Sequence, residues 1–186
     1  MCGICGIYNF DNSLVDSHIL NRMNNSMHLR GPDDYGVYFD DYFGMAMRRL
    51  SIIDLEHGHQ PISNSDNTIH VVFNGEIYNY IELRQELKKK KIHFKTKSDT
   101  EVLLKSYQVW GVDFIKKIRG MFSILIFDEK RNKFLCFRDH LGQKPLYYSK
   151  FSNGIIFSSE IKDILFIKKN KNLSKNRNTI LKYLVR

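Results

Sequence analysis

Met1-Cys2-Gly3-Ile4-Cys5-Gly6-Ile7-Tyr8-Asn9-Phe10 opens the chain, and its reading governs how the rest is assembled. Cysteine is small enough for a preceding initiator methionine to be trimmed, which would leave Cys2 with a thiol and a free α-amino group on one residue. A thiol attacks only as the thiolate, and an amine of unperturbed pKa about 7.7 to 8.0 can take its proton near neutrality. Nucleophile and general base would then share a residue. Gly3 and Gly6 allow close backbone approach, and Ile4, Ile7 and Phe10 are placed to anchor a strand. A buried core cysteine behind a start methionine is the other reading, and these ten residues alone leave both open.

At 186 residues the chain predicts one domain, with the beginning of a second. Hydrophobic residues at 42% and charged ones at 26% are ordinary globular values, so a substantial core is expected. No run of about 18 or more apolar residues occurs, and the N-terminus lacks the basic and apolar regions of a signal peptide, so no membrane span is expected. Three cysteines are an odd number, which fits a reducing compartment rather than a disulfide framework; a cytoplasmic location is the expectation. The net charge of +9 invites a nucleic-acid partner. Much of it lies in Lys88 to Lys91 and near the C-terminus, without interleaved aromatics for base stacking, so none is expected.

Taken in order, Val15, Ile19, Leu20, Met23 and Met27 recur at helical spacing, and Tyr35, Val37 and Phe39 alternate as a strand. A second strand is predicted from Phe43 to Ile53. It carries Arg48 and Arg49, one of which should face inward and need an anionic partner, either a structural carboxylate or a substrate. His57-Gly58-His59-Gln60-Pro61 reads as a polar turn; without a matching Cys/His cluster at zinc spacing, no metal is expected there. Ile69 to Phe73 is a buried-type strand running into Asn74-Gly75-Glu76, with a helix predicted from Tyr78 to Lys91. A strand-to-helix junction offering an amide side chain and a glycine N–H suits an oxyanion hole. Ser98 and Glu101 form a capping box for the next helix, in whose first turn Asp99 is a favourable acid. Two hairpins follow, Met121 to Phe137 and Pro145 to Ser158, then a helix to Ile167. Cys5 and Cys136 are read as small core residues. Hairpin-paired strands with helices in blocks indicate α+β layers rather than βαβ alternation.

Together these stretches resemble the glutaminase domain of the class II glutamine amidotransferases, most closely that of the asparagine synthetase family. The blocks are Cys2-Gly3-Ile4, Arg30-Gly31-Pro32-Asp33, Arg49 to Asp54, Gly58-His59-Gln60-Pro61 and Asn74 to Asn79. They continue with Ser98 to Glu101, Gly120-Met121-Phe122, Arg138-Asp139, Lys144-Pro145-Leu146-Tyr147-Tyr148 and Ser159 to Lys162. Two small departures are Met47, where many relatives have histidine, and Gln143, where an apolar residue is usual.

The resemblance implies a four-layer αββα N-terminal-nucleophile hydrolase sandwich with mainly antiparallel sheets that cleaves the side-chain amide of L-glutamine. It implies Cys2 as nucleophile, with Asn74 and Gly75 holding the oxyanion. Arg49 would bind the substrate carboxylate and Asp99 its ammonium; Leu50, Ser51, Ile52, Ile53 and Glu76 would line the pocket, and Arg30 would support the nucleophile. No cofactor is implied for this domain, which would occupy 1–167. Residues 168–186 would be a linker and the truncated start of an ATP- and magnesium-dependent synthetase domain. That partner would use the ammonia to make asparagine from aspartate; a homodimer is left open. Two alternatives remain: a parent enzyme amidating another acceptor, such as a sugar acid or peptide, and a non-catalytic glutamine-binding or interaction module.

Overall fold

The computed structural model describes residues 1–54 and 57–167. Its elements run β1 (Gly3–Asn9), α1 (Ser17–Ser26), β2 (Asp34–Phe39), β3 (Phe43–Arg49), β4 (Ile62–Ser63), β5 (Ile69–Ile77), α2 (Tyr80–Lys89) and α3 (Asp99–Trp110). After a 3-10 turn (Gly111–Lys116) come β6 (Gly120–Asp128), β7 (Lys133–Arg138), β8 (Tyr147–Phe151), β9 (Gly154–Ser158) and α4 (Ile161–Ile167). The strands form two sheets, ordered β2-β3-β1-β9-β8 and β4-β5-β6-β7, with every pairing antiparallel.

Side chains alternate across a strand, so a strand buried on both faces reads as a continuous apolar run. In β1, Ile4 points between the sheets with Met47, Val72, Leu125 and Phe127. Its neighbours Cys5 and Ile7 point the other way, onto Leu20 and Met23 of α1 and Ile164 of α4. The second sheet repeats the scheme, with Val71, Phe73, Ile124 and Ile126 packing under Leu83, Leu87, Leu103 and Tyr107 of α2 and α3. The result is four layers, αββα, as expected. Phe43 of the first sheet stacks on Phe127 of the second at 4.1 Å between ring centres, at the heart of the inter-sheet core. No helix among the described residues is long and apolar enough to cross a membrane.

Several boundaries depart from the sequence reading. β3 ends at Arg49 rather than Ile53, because the chain turns back so that the carbonyls of Ile53 and Asp54 accept from the Arg49 guanidinium, with Asp54 at a positive φ of 51°. β5 does not stop at Phe73 but runs through Asn74-Gly75-Glu76 to Ile77, paired with β6 throughout; the helix begins later, at Tyr80. Ser98 caps α3 by accepting from the Glu101 N–H, but the Glu101 carboxylate takes the Lys95 and Thr96 N–H groups, so the capping box is half formed. Phe10 lies past the end of β1 and is exposed, so Ile4 and Ile7 anchor that strand without it. Cys136 is exposed on edge strand β7 rather than packed in the core. Residues 168–186 and the linker assigned to them lie outside the described residues.

Candidate active site

The site lies at the end of the sandwich where β1 starts and β3 and β5 finish. Cys2 precedes β1 by one residue and shares the parity of Ile4, so it packs at the rim of the inter-sheet core. The Leu50 N–H donates to Sγ at 3.3 Å, and the thiol donates to the Leu50 carbonyl at 3.5 Å. Burial pushes the Cys2 thiol up from its ordinary value. The hydrogen bond from Leu50, the chain's amino terminus, Arg49 and Lys144 all pull it back down without reversing the rise. A thiol so placed needs a base to ionise it.

Behind Cys2, Arg30 Nε donates to the Cys2 carbonyl at 3.1 Å, and its Nη1 pairs with Glu160 at 2.8 Å. Ser159 holds β1 from the other side: its hydroxyl accepts from the Ile4 N–H and its N–H donates to the Ile4 carbonyl. Arg30 is therefore a support for the backbone of residue 2, outside the cavity lining.

Facing Cys2 is the free edge of β5. The N–H groups of Phe73, Gly75 and Ile77 share one edge of the strand, since alternate residues point the same way. Gln60 Oε1 accepts from the Phe73 N–H at 2.7 Å and Asp99 Oδ2 from the Ile77 N–H at 3.2 Å. Between them the Gly75 N–H points into the cavity. A Cβ at Gly75 would lie 2.1 Å from the Met121 carbonyl oxygen, so the sheet excludes any side chain here. Next to it Asn74 is only 1% exposed, and its buried Nδ2 has no hydrogen-bond partner among the described residues. An unpaired buried amide donor costs about 1 to 3 kcal/mol. Two donors on consecutive residues of one cavity wall suit an anion that forms there transiently.

Two buried side chains of opposite charge type, Arg49 and Asp99, also line this cavity. Arg49, 6% exposed, is gripped by the Ile53 and Asp54 carbonyls at 2.8 and 2.7 Å. Its head rests on Gly58, where a Cβ would come within 2.0 Å of Nη2. Asp99, 5% exposed, has its carboxyl pushed up to about 6, chiefly by burial and also by Glu76, against backbone N–H groups that hold it down.

Cys2, Arg49, Leu50, Ile52, Ile53, Asn74, Gly75, Glu76 and Asp99 thus line one cavity of about 110 Å³ together with Met1. Ser51 does not line it; its N–H donates to Asp33, fixing the loop after β3. The lining also includes Met47, Gln60, Phe73, Thr100, Met121 and Lys144, none of which was given a site role from sequence. Gln60 was read as part of a polar turn and of a family-matching block, yet it is buried, and its Nε2 donates to Thr100 at 3.2 Å. His59 pairs with Asp34 instead of entering the cavity. A larger cleft of about 470 Å³ lies outside the first sheet against α1 and α4 and is lined by none of the residues that the resemblance implies, so size does not mark the site.

The family profile described as glutamine amidotransferase domain matches residues 1–186. Asparagine synthetase [glutamine-hydrolyzing] 1 of Bacillus subtilis is 43% identical over 168 residues, covering 89% of this chain and 27% of that protein. A putative asparagine synthetase of Methanocaldococcus jannaschii is 41% identical over 198 residues, covering 95% of this chain and 38% of that one. Asparagine synthetase B of Escherichia coli is 37% identical over 170 residues, covering 89% and 30%. The chain thus spans well under half the length of these relatives. Among solved structures, the glutamine phosphoribosylpyrophosphate amidotransferase of B. subtilis superposes with a TM-score of 0.73 at 20% identity, covering 88% of this chain and 43% of that one, a likeness of fold. With the layers, the terminal cysteine and the profile over its full length in agreement, the chain belongs to the glutamine amidotransferase domain family.

Proposed function

We propose that the chain hydrolyses the side-chain amide of L-glutamine to glutamate and ammonia. In this reading Met1 is removed and the freed α-amino group of Cys2 accepts the thiol proton. The sulfur attacks the amide carbon, and the developing oxyanion takes the Asn74 Nδ2 and Gly75 N–H bonds. The amine returns the proton to the leaving nitrogen, and water then releases glutamate from the thioester. Arg49 takes the α-carboxylate and Asp99 the α-ammonium, so only an amino acid of the right length puts its amide over the sulfur. The observation that carries this reading is the buried, otherwise unpaired Asn74 amide next to Gly75 on β5, in the cavity that holds Cys2. The raised Cys2 pKa supports a built-in base.

The relatives' names and the small share of their length that the chain spans support a further assignment. Residues 1–167 form the glutaminase unit of a longer enzyme, and the ammonia passes to an ATP-dependent synthetase part that converts aspartate to asparagine. ATP and magnesium would belong to that part.

The test is ammonia release from glutamine by the purified chain, with the intact mass reporting whether Met1 is present. Cys2→Ala and a form that retains Met1 are both expected to be inactive. Asn74→Ala should lose about a hundred- to a thousandfold in kcat, the usual effect of deleting one oxyanion donor. Turnover by Cys2→Ala at the wild-type rate would remove Cys2 from the mechanism.

A further inference from the structure

Lys144 is a cationic residue of the cavity lining to which the proposed chemistry gives no part. It follows the Arg138-to-Gln143 turn, whose shape is set by Asp139: that carboxylate accepts from the N–H groups of Leu141, Gln143 and Lys144. Arg138 Nε donates to the Lys144 carbonyl at 2.7 Å, and Leu146 anchors the following residues in the inter-sheet core. The backbone of Lys144 is thus fixed from both sides. Its side chain is directed into the Cys2 cavity, and the residue is only 8% exposed. Among the described residues its ammonium has no hydrogen bond or ion pair. Its stem is buried while the ammonium opens onto the cavity. A cation on that wall is placed to meet negative charge that forms in the same cavity.

We propose that Lys144 is a positioning residue for charge: its ammonium stabilises the negative charge that gathers on the Cys2 sulfur when the thiol ionises. This rests on the choice of Cys2 as nucleophile. Every other charged group around the sulfur has a different assignment. Arg49, from the end of β3, is gripped by the Ile53 and Asp54 carbonyls. Arg30, after α1, is bonded to the Cys2 carbonyl and Glu160. The amino terminus is the proton acceptor. Asp99 of α3 and Glu76 of β5 line the same cavity and oppose a thiolate, which raises the need for a cation on the remaining side. Lys144 also pulls the Cys2 thiol downward, in step with this placement.

The test reads the thiol itself. The full chain is treated with iodoacetamide from about pH 6 to pH 10, and the Cys2 peptide is followed by mass spectrometry, which separates it from Cys5 and Cys136. Lys144→Met should move the Cys2 labelling curve to higher pH, so that near pH 7.5 it reacts roughly threefold or more slowly than wild type. Lys144→Arg, which keeps the charge, should follow the wild-type curve. Curves for wild type and Lys144→Met that superimpose would overturn the proposal. So would a shift in Lys144→Arg as large as in Lys144→Met, since that marks a packing role. If Lys144→Met fails to fold by circular dichroism, Lys144→Gln against Lys144→Arg decides the same question. A shifted thiol curve in a chain that releases no ammonia would sustain Lys144 and defeat the glutaminase reading; active enzyme with unshifted curves would do the reverse.

Discussion

Asp99 illustrates how a single buried acid can weaken the fold that holds it. Its carboxyl would ionise at 3.8 if unfolded and is pushed to about 6 in the fold, mainly by burial. An acid whose pKa is raised by folding favours the folded state below its unfolded value, and that contribution disappears as pH rises through the folded one. Above about pH 6 the buried charge therefore costs stability, on the order of 1 to 3 kcal/mol at 1.36 kcal/mol per unit. Asp99→Asn should remove that cost while its amide oxygen still accepts from the Ile77 N–H. The variant is expected to melt at higher temperature than wild type near pH 7.5 and to lose the advantage near pH 4, as followed by thermal denaturation at both. It should bind glutamine far more weakly by calorimetry, since the ammonium has lost its counter-charge. In the wild type, kcat/KM for glutamine should fall as pH drops through about 6, where Asp99 takes up its proton. A variant less stable than wild type at neutral pH would contradict this account.

At the scale of elements, the core runs were legible because strands buried on both faces leave apolar stretches such as Val71 to Phe73 and Ile124 to Phe127. What could not be read was where strands end beside the site. Asn74-Gly75 is a turn dipeptide locally, yet β6 offers β5 partners as far as Gly120, and side chains from Gln60 and Asp99 satisfy its free edge. Those partners come from 13 and 22 residues away, which no local pattern reveals. The same holds for the loop after β3, which looked like more strand until the Arg49 guanidinium claimed its carbonyls. The candidate residues themselves came from a family resemblance, which supplies their roles but not the reasons for them. Gly58 gives such a reason: it has no side chain because the Arg49 head occupies that space. Gly58→Ala should push the guanidinium out of place and raise the KM for glutamine roughly tenfold or more while lowering kcat much less, since the nucleophile and β5 donors are untouched. Steady-state kinetics on a variant of unchanged melting temperature would check it, and an unaltered KM would mean that Arg49 does not hold the substrate.

Across the whole molecule the two sheets are joined differently at their two ends. At the Cys2 end they part to leave the cavity. At the other end His70 of β5, 1% exposed, stacks on Tyr38 of β2 with ring centres 3.6 Å apart. Both neighbours of its Nε2, the Asn67 carbonyl and Glu129 carboxylate, are acceptors, so Nε2 carries a proton, while Nδ1 hydrogen-bonds with the Ser63 hydroxyl. The Tyr38 hydroxyl donates to the same carboxylate at 2.7 Å, closing a ring of contacts between the sheets. His70→Ala should therefore cost about 2 to 4 kcal/mol, from the lost ring and from the hydrogen-bonding groups left without it. Four residues of extended strand separate His70 from Asn74, roughly 13 Å. At that distance, with no shared partner, perturbations of stability and of the site should be nearly independent. The variant is thus expected to unfold at lower denaturant concentration yet keep kcat/KM for glutamine within about twofold, measured well below its melting temperature. A loss of kcat/KM beyond tenfold would mean that the closed end sets the spacing of the open one, and that the donors on β5 face Cys2 only while His70 keeps the sheets in register.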